Sequence, residues 1–449
     1  MDVVIIGAGS VGSNIANKLV KEEYDVTIVD RDQDKVATLK DTLDAQVVLG
    51  DGSSPRVLRD VGVSRASLFV AVTDDDRTNM IATLVGRSMN DKLVKIARIR
   101  DPEFVYDSRI LGPQFLDIDL HINPEIEAAE EIVRLLEYPQ VNHLKEFMNG
   151  RMRLVGLRIT KEHRIVERQI AEMGKEFKEH GFLAAAIMRG TKIIIPRGET
   201  TVEVGDELFV LVQTSSAAKA LQSLGVPSED VKRVMLLGGG NIGRYLAHRL
   251  EAKGLAVKLV EKDLSVCERL SEELRRTVIL HGDASERELL QEENIADMHA
   301  FIATTRDEEL NILACLLAKQ MGVHRVISIT SKVGYQPLTA ELGVDVAISP
   351  RGAAINQILQ FIRKGRVVSV AQIGEEEAEA IEFEIGDDSP IVNTPLHLLN
   401  LPSGVVIGAI ERKGKVTVAG GDDTIHPGDR IVAFALGSSI PELEKTVTG

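Results

Sequence analysis

Basic residues are scarce in this chain of 449 residues: 53 Lys and Arg stand against 68 Asp and Glu, a formal net charge of −15 at pH 7. An excess of that sign repels phosphate backbones and anionic lipid headgroups, so no nucleic-acid partner is expected. Long apolar runs are missing as well. The longest, such as FLAAAIM at 182–188, are strand-sized, whereas a membrane helix needs about 20 apolar residues, so any membrane association is expected to pass through a partner. Cysteine occurs only at Cys267 and Cys315, which provides no disulfide framework and suits a reducing compartment. Both read as small core residues. The opening MDVVIIGAGS starts a strand at once, without the basic stretch and long apolar core of a secretory signal, so the chain is expected to stay in the cytoplasm.

Catalytic constellations are equally scarce. None of Tyr24, Tyr106, Tyr138, Tyr245 and Tyr335 has a lysine four residues later, as the short-chain dehydrogenase pair requires. No HExxH, no clustered Cys and His ligands and no GxSxG elbow occur. His281 precedes Gly282 and Asp283, but its counterpart in the repeat described below is Leu49, and it reads as a solvated or packing histidine. No catalytic residue and no metal ligand is therefore assigned.

What is present is a duplicated design. With 44% hydrophobic and 27% charged residues the chain can bury a substantial core, and its length suits three domains or four small ones. VVIIGAGSVGSNIANKL near the start returns as VMLLGGGNIGRYLAHRL from Val234. Gly7, Gly9 and Gly12 correspond to Gly238, Gly240 and Gly243, each 231 residues on, and Asp30 corresponds to Glu261 at the same displacement. GDGS at 50–53 meets GDAS at 282–285, and Asn79 meets Asn311, both displaced by 232.

Each half opens with short apolar runs alternating with helix-patterned stretches, which implies a parallel sheet covered on both faces: a doubly wound, Rossmann-like α/β domain. It ends near Asn123, where NPEIEAAEEIVRLL puts proline at a helix's first position and acids in its first turn. Ile126, Ala129, Val133 and Leu136 line one face of that helix; Ile355, Ile358, Leu359 and Ile362 do so in its counterpart, SPRGAAINQILQFIRKG. Such stripes serve either packing on the same chain or dimerisation. After each helix the texture changes to strands broken by glycine turns. Gly181, Gly205 and Asp206 recur at Gly404, Gly428 and Asp429, displaced by 223. The expected domains are 1–123, 143–227, 232–348 and 367–449, in the order large, small, large, small.

GAGSVG follows the buried strand VVII and opens a helix. In that context Gly7 allows the tight turn, Gly9 lets a pyrophosphate approach the backbone, and Gly12 lets helix and strand pack closely. The helix terminus supplies amide donors and partial positive charge. Asp30, at the end of the second strand, is placed to accept ribose hydroxyls. GGGNIG and Glu261 repeat the arrangement, so two sites per chain for NAD-like or adenine nucleotides are expected. The halves differ in charge. Arg98 and Arg100 end the first half's fifth strand, where the second half has Thr330 and Lys332; Arg77 and Arg306 stand near the two mouths. Extra arginines suit more phosphate charge, as in ATP. Their alternative role is a structural salt bridge to Asp74, Asp75 or Asp76.

These duplicated glycine-rich domains, each trailed by a small β-rich domain with a GD turn, resemble tandem RCK (regulator of potassium conductance) proteins, of the kind that regulate Trk potassium-uptake systems. The resemblance spans nearly the whole chain. It implies two Rossmann-like doubly wound domains, each followed by a small α+β RCK C-terminal domain. It implies binding of NAD+ or NADH and of ATP or ADP without turnover, and a peripheral place on the cytoplasmic face of the inner membrane. It also implies docking on a potassium-translocating integral membrane subunit of the Trk type, by a homotetramer that closes a ring of eight RCK units. Carried over by position, the contacts are Gly7, Ala8, Gly9, Ser10, Val11 and Gly12 at the phosphates, Asp30 at the ribose, Asp51 at the adenine edge, then Thr73, Asp74, Arg98 and Arg100. In the second half they are Gly238, Gly239, Gly240, Asn241, Ile242, Gly243, Glu261, Asp283, either Thr304 or Thr305, and Lys332. The competing reading is an NAD-dependent oxidoreductase with two Rossmann domains; it explains the glycines but not the duplication of the small domains.

Overall fold

The computed structural model describes residues 1–101, 103–104, 108–179, 181–190, 192–226, 230–283, 286–330, 336–362, 367–373 and 378–448. Tyr106, Tyr335, Lys332 and the last two residues of the GDAS motif lie outside the described residues.

The first half begins with β1 (Asp2–Ile6), β2 (Asp25–Asp30), β3 (Gln46–Leu49), β4 (Leu68–Ala71), β5 (Val94–Arg98) and β6 (Leu120–Ile122), in the sheet order β3-β2-β1-β4-β5-β6. Every pairing is parallel. The helices between them are α1 (Ser10–Lys21), α2 (Gln33–Thr42), α3 (Pro55–Asp60), α4 (Asp76–Met89) and the short α5 (Ser108–Leu111). The order reverses between β1 and β4, and in a doubly wound sheet the ligand crevice lies at that switch point, beyond the strands' C-terminal ends. α6 (Pro124–Leu136) follows. Asn123 starts it, because its Oδ1 accepts from the amides of Glu125 and Ile126 at 3.1 and 3.2 Å.

The first small domain is a five-stranded antiparallel sheet, β10-β9-β11-β8-β7, made of β7 (His143–Phe147), β8 (Met152–Arg158), β9 (Phe182–Arg189), β10 (Lys192–Ile194) and β11 (Glu207–Gln213). It also holds α7 (Ile170–Glu179) and α8 (Ala217–Ser223). The sequence pattern did not foreshadow α7. Gly174 interrupts it, yet Met173 and Phe177, four apart, are buried, and the Phe177 ring lies 4.1 Å from that of Phe182; tertiary burial outweighs the glycine penalty.

The second half repeats the plan with β12 (Arg233–Leu237), β13 (Ala256–Glu261), β14 (Val278–His281), β15 (Ala300–Ala303), β16 (Arg325–Ile329) and β17 (Val346–Ile348), ordered β14-β13-β12-β15-β16-β17. Its helices are α9 (Asn241–Ala252), α10 (Leu264–Glu273), α11 (Arg287–Glu292), α12 (Glu308–Gln320), α13 (Gln336–Leu342) and α14 (Pro350–Ile362). The last sheet, β18-β19-β22-β20-β21, comprises β18 (Val367–Ile373), β19 (Ala378–Glu384), β20 (Val405–Arg412), β21 (Lys415–Val418) and β22 (Arg430–Leu436), and α15 (Ile440–Thr448) closes the chain.

The chain forms two compact units. One holds Met1–Ala129 with Thr330 and Ile348–Phe361, so most of α14 belongs with the first doubly wound domain, where Gln357 donates to Glu127 at 3.3 Å. The other holds the rest, and in it the two small sheets share one core that includes Phe147, Leu154, Phe209, Ala380, Val432 and Phe434. Backbone and side chains tie these sheets: Met148 N–H donates to Glu382 Oε2 at 2.9 Å and Gln213 to the Val416 carbonyl at 3.0 Å. In the same unit the C-terminal half of α6 contacts α9, so here the helix packs on its own chain.

Candidate nucleotide-binding clefts

In the first cleft the chain leaves β1 through Gly7, whose φ of +106° is a left-handed conformation that a side chain would strain. A Cβ on Gly12 would lie 1.9 Å from the Gly7 carbonyl oxygen, so only glycine lets α1 close onto the turn. Gly9 is the opposite case: nothing lies within 4 Å of where its Cβ would stand. It opens α1 as N-cap without a side-chain hydrogen bond, and no acid occupies the first turn. Ala8, Ser10 and Val11 complete this turn. The terminus therefore presents amide donors and dipole charge to open space, the arrangement that favours an anion.

Asp30 ends β2. Its Oδ2 accepts from Ala8 N–H at 2.6 Å and its Oδ1 from Asp32 N–H at 2.9 Å. The carboxylate is thereby fixed beside the glycine turn, with lone pairs left for hydroxyl donors. Asp51 behaves otherwise. Its Oδ1 takes the amide and hydroxyl of Ser53 at 2.9 and 2.7 Å, and these bonds hold its carboxyl below the usual range. Its local task is shaping the turn before α3.

Beyond β4, Thr73 donates through amide and hydroxyl to Asn79 Oδ1 at 2.9 and 2.7 Å, while Asn79 Nδ2 donates to the Thr73 and Arg98 carbonyls at 3.1 and 2.9 Å. The fully buried Asn79 thus clamps the ends of β4 and β5 together. Arg98 pairs with Asp74 at 3.1 Å, and Arg100 Nε lies 3.6 Å from Asp76 Oδ1. Both arginines thus make the structural pairs weighed above. Arg98 retains something more. Only 14% of its side chain is exposed, burial followed by the neighbouring Arg100 lowers its proton affinity, and its buried Nε has no hydrogen-bond partner among the described residues. A buried guanidinium N–H without an acceptor suits an incoming anion. Arg77 is exposed in the first turn of α4.

The second cleft repeats these bonds. Gly238 has φ +97°, a Cβ on Gly243 would lie 1.9 Å from the Gly238 carbonyl oxygen, and nothing lies within 4 Å of a Cβ on Gly240. Asn241 and Ile242 open α9, again without a side-chain cap. Glu261 accepts from the amides of Gly239, Lys262 and Asp263 at 2.6, 2.7 and 2.8 Å. Asp283 takes Lys262 Nζ at 3.2 Å. The register at Thr304 and Thr305 is now readable. Thr305 bonds Asn311 as Thr73 bonds Asn79, at 3.0 Å from the amide and 2.7 Å from the hydroxyl. Thr304 is buried, its hydroxyl bonded to the Leu237 and Gly238 carbonyls at 3.0 and 3.1 Å, where it supports the turn from beneath. Thr330, the counterpart of Arg98, is fully buried, and Arg306 is exposed. Sequence reasoning noted Asn79 and Asn311 only as repeat markers; their recurrence was the available signal for the clamp.

Two concavities of about 430 and 320 Å³ open elsewhere, near Arg233, His299 and His324 and near Arg287 and Asn294. The first sits at the N-terminal ends of β12, β15 and β16, the wrong edge for a phosphate-binding helix terminus. Among the described residues no three His, Cys, Asp or Glu side chains gather as a metal site, and no helix is long and apolar enough to cross a membrane.

Comparison with known proteins gives the same architecture. The TrkA-N domain family matches residues 3–124 and 234–350, and the TrkA-C domain family matches 154–225 and 380–448. The Trk system potassium uptake protein TrkA of Halomonas elongata is 37% identical over 439 residues, covering 97% of this chain and 96% of the relative. That of Azorhizobium caulinodans is 35% identical over 449 residues, covering 99% and 98%. Among solved structures the GsuK channel aligns with a TM-score of 0.63 at 18% identity, covering 100% of this chain and 79% of that one. The GsuK channel bound to NAD aligns at 0.61 and 17%, with the same coverage; at such identities the likeness concerns the fold. Two copies each of the TrkA-N and TrkA-C domains, with relatives alike from end to end, place this chain in the family of Trk system potassium uptake protein TrkA.

Proposed function

We propose that this chain is the nucleotide-sensing regulatory subunit of a potassium-uptake system, peripheral to the inner membrane at its cytoplasmic face. The observation that carries the reading is the doubled cleft: each half sets an uncapped helix terminus above an open glycine and fixes a carboxylate beside it. Phosphate and ribose are the groups such a pair receives. The relatives' potassium-uptake name supplies the system, and the GsuK structure bound to NAD supplies a fold on which such a ligand sits.

In this reading NAD+ or NADH and ATP or ADP are signals, and the protein is not an enzyme. The modules divide at 123–143, 227–232 and 348–367. Gly7 to Gly12, Asp30, Asp51, Thr73, Asp74, Arg98 and Arg100 serve the first ligand, and Gly238 to Gly243, Glu261, Asp283 and Thr305 the second. The unpartnered Nε of Arg98 favours the more highly phosphorylated ligand at the first cleft. A homotetramer presents eight such modules to a Trk-type membrane subunit.

The test is to purify the chain with a candidate membrane subunit, reconstitute the complex, and record potassium flux with each nucleotide while following nicotinamide absorbance. Flux that changes with nucleotide while absorbance stays constant supports the proposal. Steady oxidation of NADH with a small metabolite, without a membrane partner, replaces it with the oxidoreductase.

A further inference from the structure

We propose that Glu130 and Glu137 latch the phosphate-facing helix of the second cleft to α6, so that nucleotide at that cleft is read out by α6. The inference rests on the reading of the second cleft given above. Tyr245, Arg249 and Lys253 succeed one another at four-residue steps, Tyr245 and Arg249 within α9 and Lys253 at its C-cap, so they share one face. Glu130 and Glu137 are seven apart, one within α6 and one just after it. The Tyr245 hydroxyl donates to Glu130 Oε1 at 2.7 Å, Arg249 Nε donates to the same oxygen at 2.7 Å, and Arg249 Nη2 donates to Oε2 at 3.2 Å. Lys253 Nζ donates to Glu137 Oε1 at 2.8 Å. Burial opposes ionisation of Glu130, but the Arg249 and Tyr245 hydrogen bonds outweigh it and hold the carboxyl below its usual range.

The latch belongs to one cleft. The displacement of 226 that sets Pro124 on Pro350 places Asn356 where Glu130 stands, and the displacement of 231 places Asn14, Lys18 and Glu22 at Tyr245, Arg249 and Lys253. The first half therefore lacks both the acceptor carboxylate and the tyrosine. α9 carries the amides of Asn241 to Gly243 at one end and the latch along the rest. A short helix moves as a rod, so an anion that pulls on its N-terminus draws the latched carboxylates with it. α6 responds only as far as the two positions of α9 differ in affinity for the ligand.

Amide hydrogen exchange on the full chain tests this, with saturating NADH and, separately, saturating ADP. In the unmodified protein at least one of these ligands is expected to slow exchange at Asn241–Gly243, and with it exchange at Glu130–Leu136, the latter about fivefold. Glu130→Gln and Arg249→Ala are expected to keep the first effect and lose the second. Glu137→Lys is expected to weaken the second effect, and adding Lys253→Glu to restore it, which separates the latch from loss of folding. Slowing of α6 that is undiminished in Glu130→Gln and Arg249→Ala overturns the latch while leaving the cleft intact. No slowing at Asn241–Gly243 with either ligand overturns the reading of the cleft, and the latch with it.

Discussion

Asp206 and Asp429 show what the repeated GD turns do. Each is almost wholly buried and receives a two-pronged arginine: Arg189 reaches Asp206 through Nε and Nη2 at 2.8 Å, and Arg412 reaches Asp429 through the same atoms at 2.9 and 2.7 Å. A backbone amide, of Glu203 or His426, completes each carboxylate at 2.8 Å. The motif is structural, fastening the turn to the neighbouring strand. Asp429→Ala strands a half-buried guanidinium and an amide, and about 3 kcal/mol of stability should be lost, measured by denaturant unfolding of the full chain. Arg98 makes the contrasting case, since its Nε has no acceptor among the described residues. Arg98→Ala is expected to weaken ATP at the first cleft about tenfold or more, the cost of a charge-assisted hydrogen bond, and to leave the second cleft unchanged; calorimetric titration of each cleft checks it. The glycines, Asp30 and Glu261 were legible from spacing because their roles are backbone geometry and position. The bonds from Ser53 to Asp51 were not, because spacing does not reveal which neighbour engages a carboxylate.

At the scale of elements, the two parallel sheets were legible because buried strands read as unbroken apolar runs, and their crossover helices as amphipathic stretches. α7 was missed because Gly174 and a run of charged residues obscure a two-residue apolar anchor. That anchor carries weight. Phe177→Ala removes a buried ring packed on Phe182 and should cost about 3 kcal/mol, with loss of unfolding cooperativity in the first small domain as the readout. The destinations of α6 and α14 were also beyond the sequence. An apolar stripe shows that a helix face is covered, not by what; the polar partners decide it, and Glu130 with Tyr245 and Arg249 lie 115 and 119 residues apart along the chain. The Thr304 and Thr305 ambiguity had a similar origin. A one-residue change of displacement between glycine turn and fourth strand left two candidates, and only the Asn311 clamp separates them.

For the molecule as a whole, regulation by nucleotide is a matter of unequal affinities. Shifting a gate from 1:99 to 99:1 needs about 5.5 kcal/mol, which spread over the eight clefts of the proposed homotetramer is roughly 0.7 kcal/mol each. Small differences between ATP and ADP, or NADH and NAD+, therefore suffice, provided both clefts of every chain bind. That condition is the central claim, and equilibrium titration of the purified chain with radiolabelled or fluorescent adenine nucleotides and NADH tests it most directly, comparing the unmodified protein with Asp30→Ala and Glu261→Ala. The account predicts two ligands per chain in the unmodified protein and one in each variant, with the double variant binding none. A chain that binds no nucleotide, or whose stoichiometry is the same in all four proteins, contradicts it.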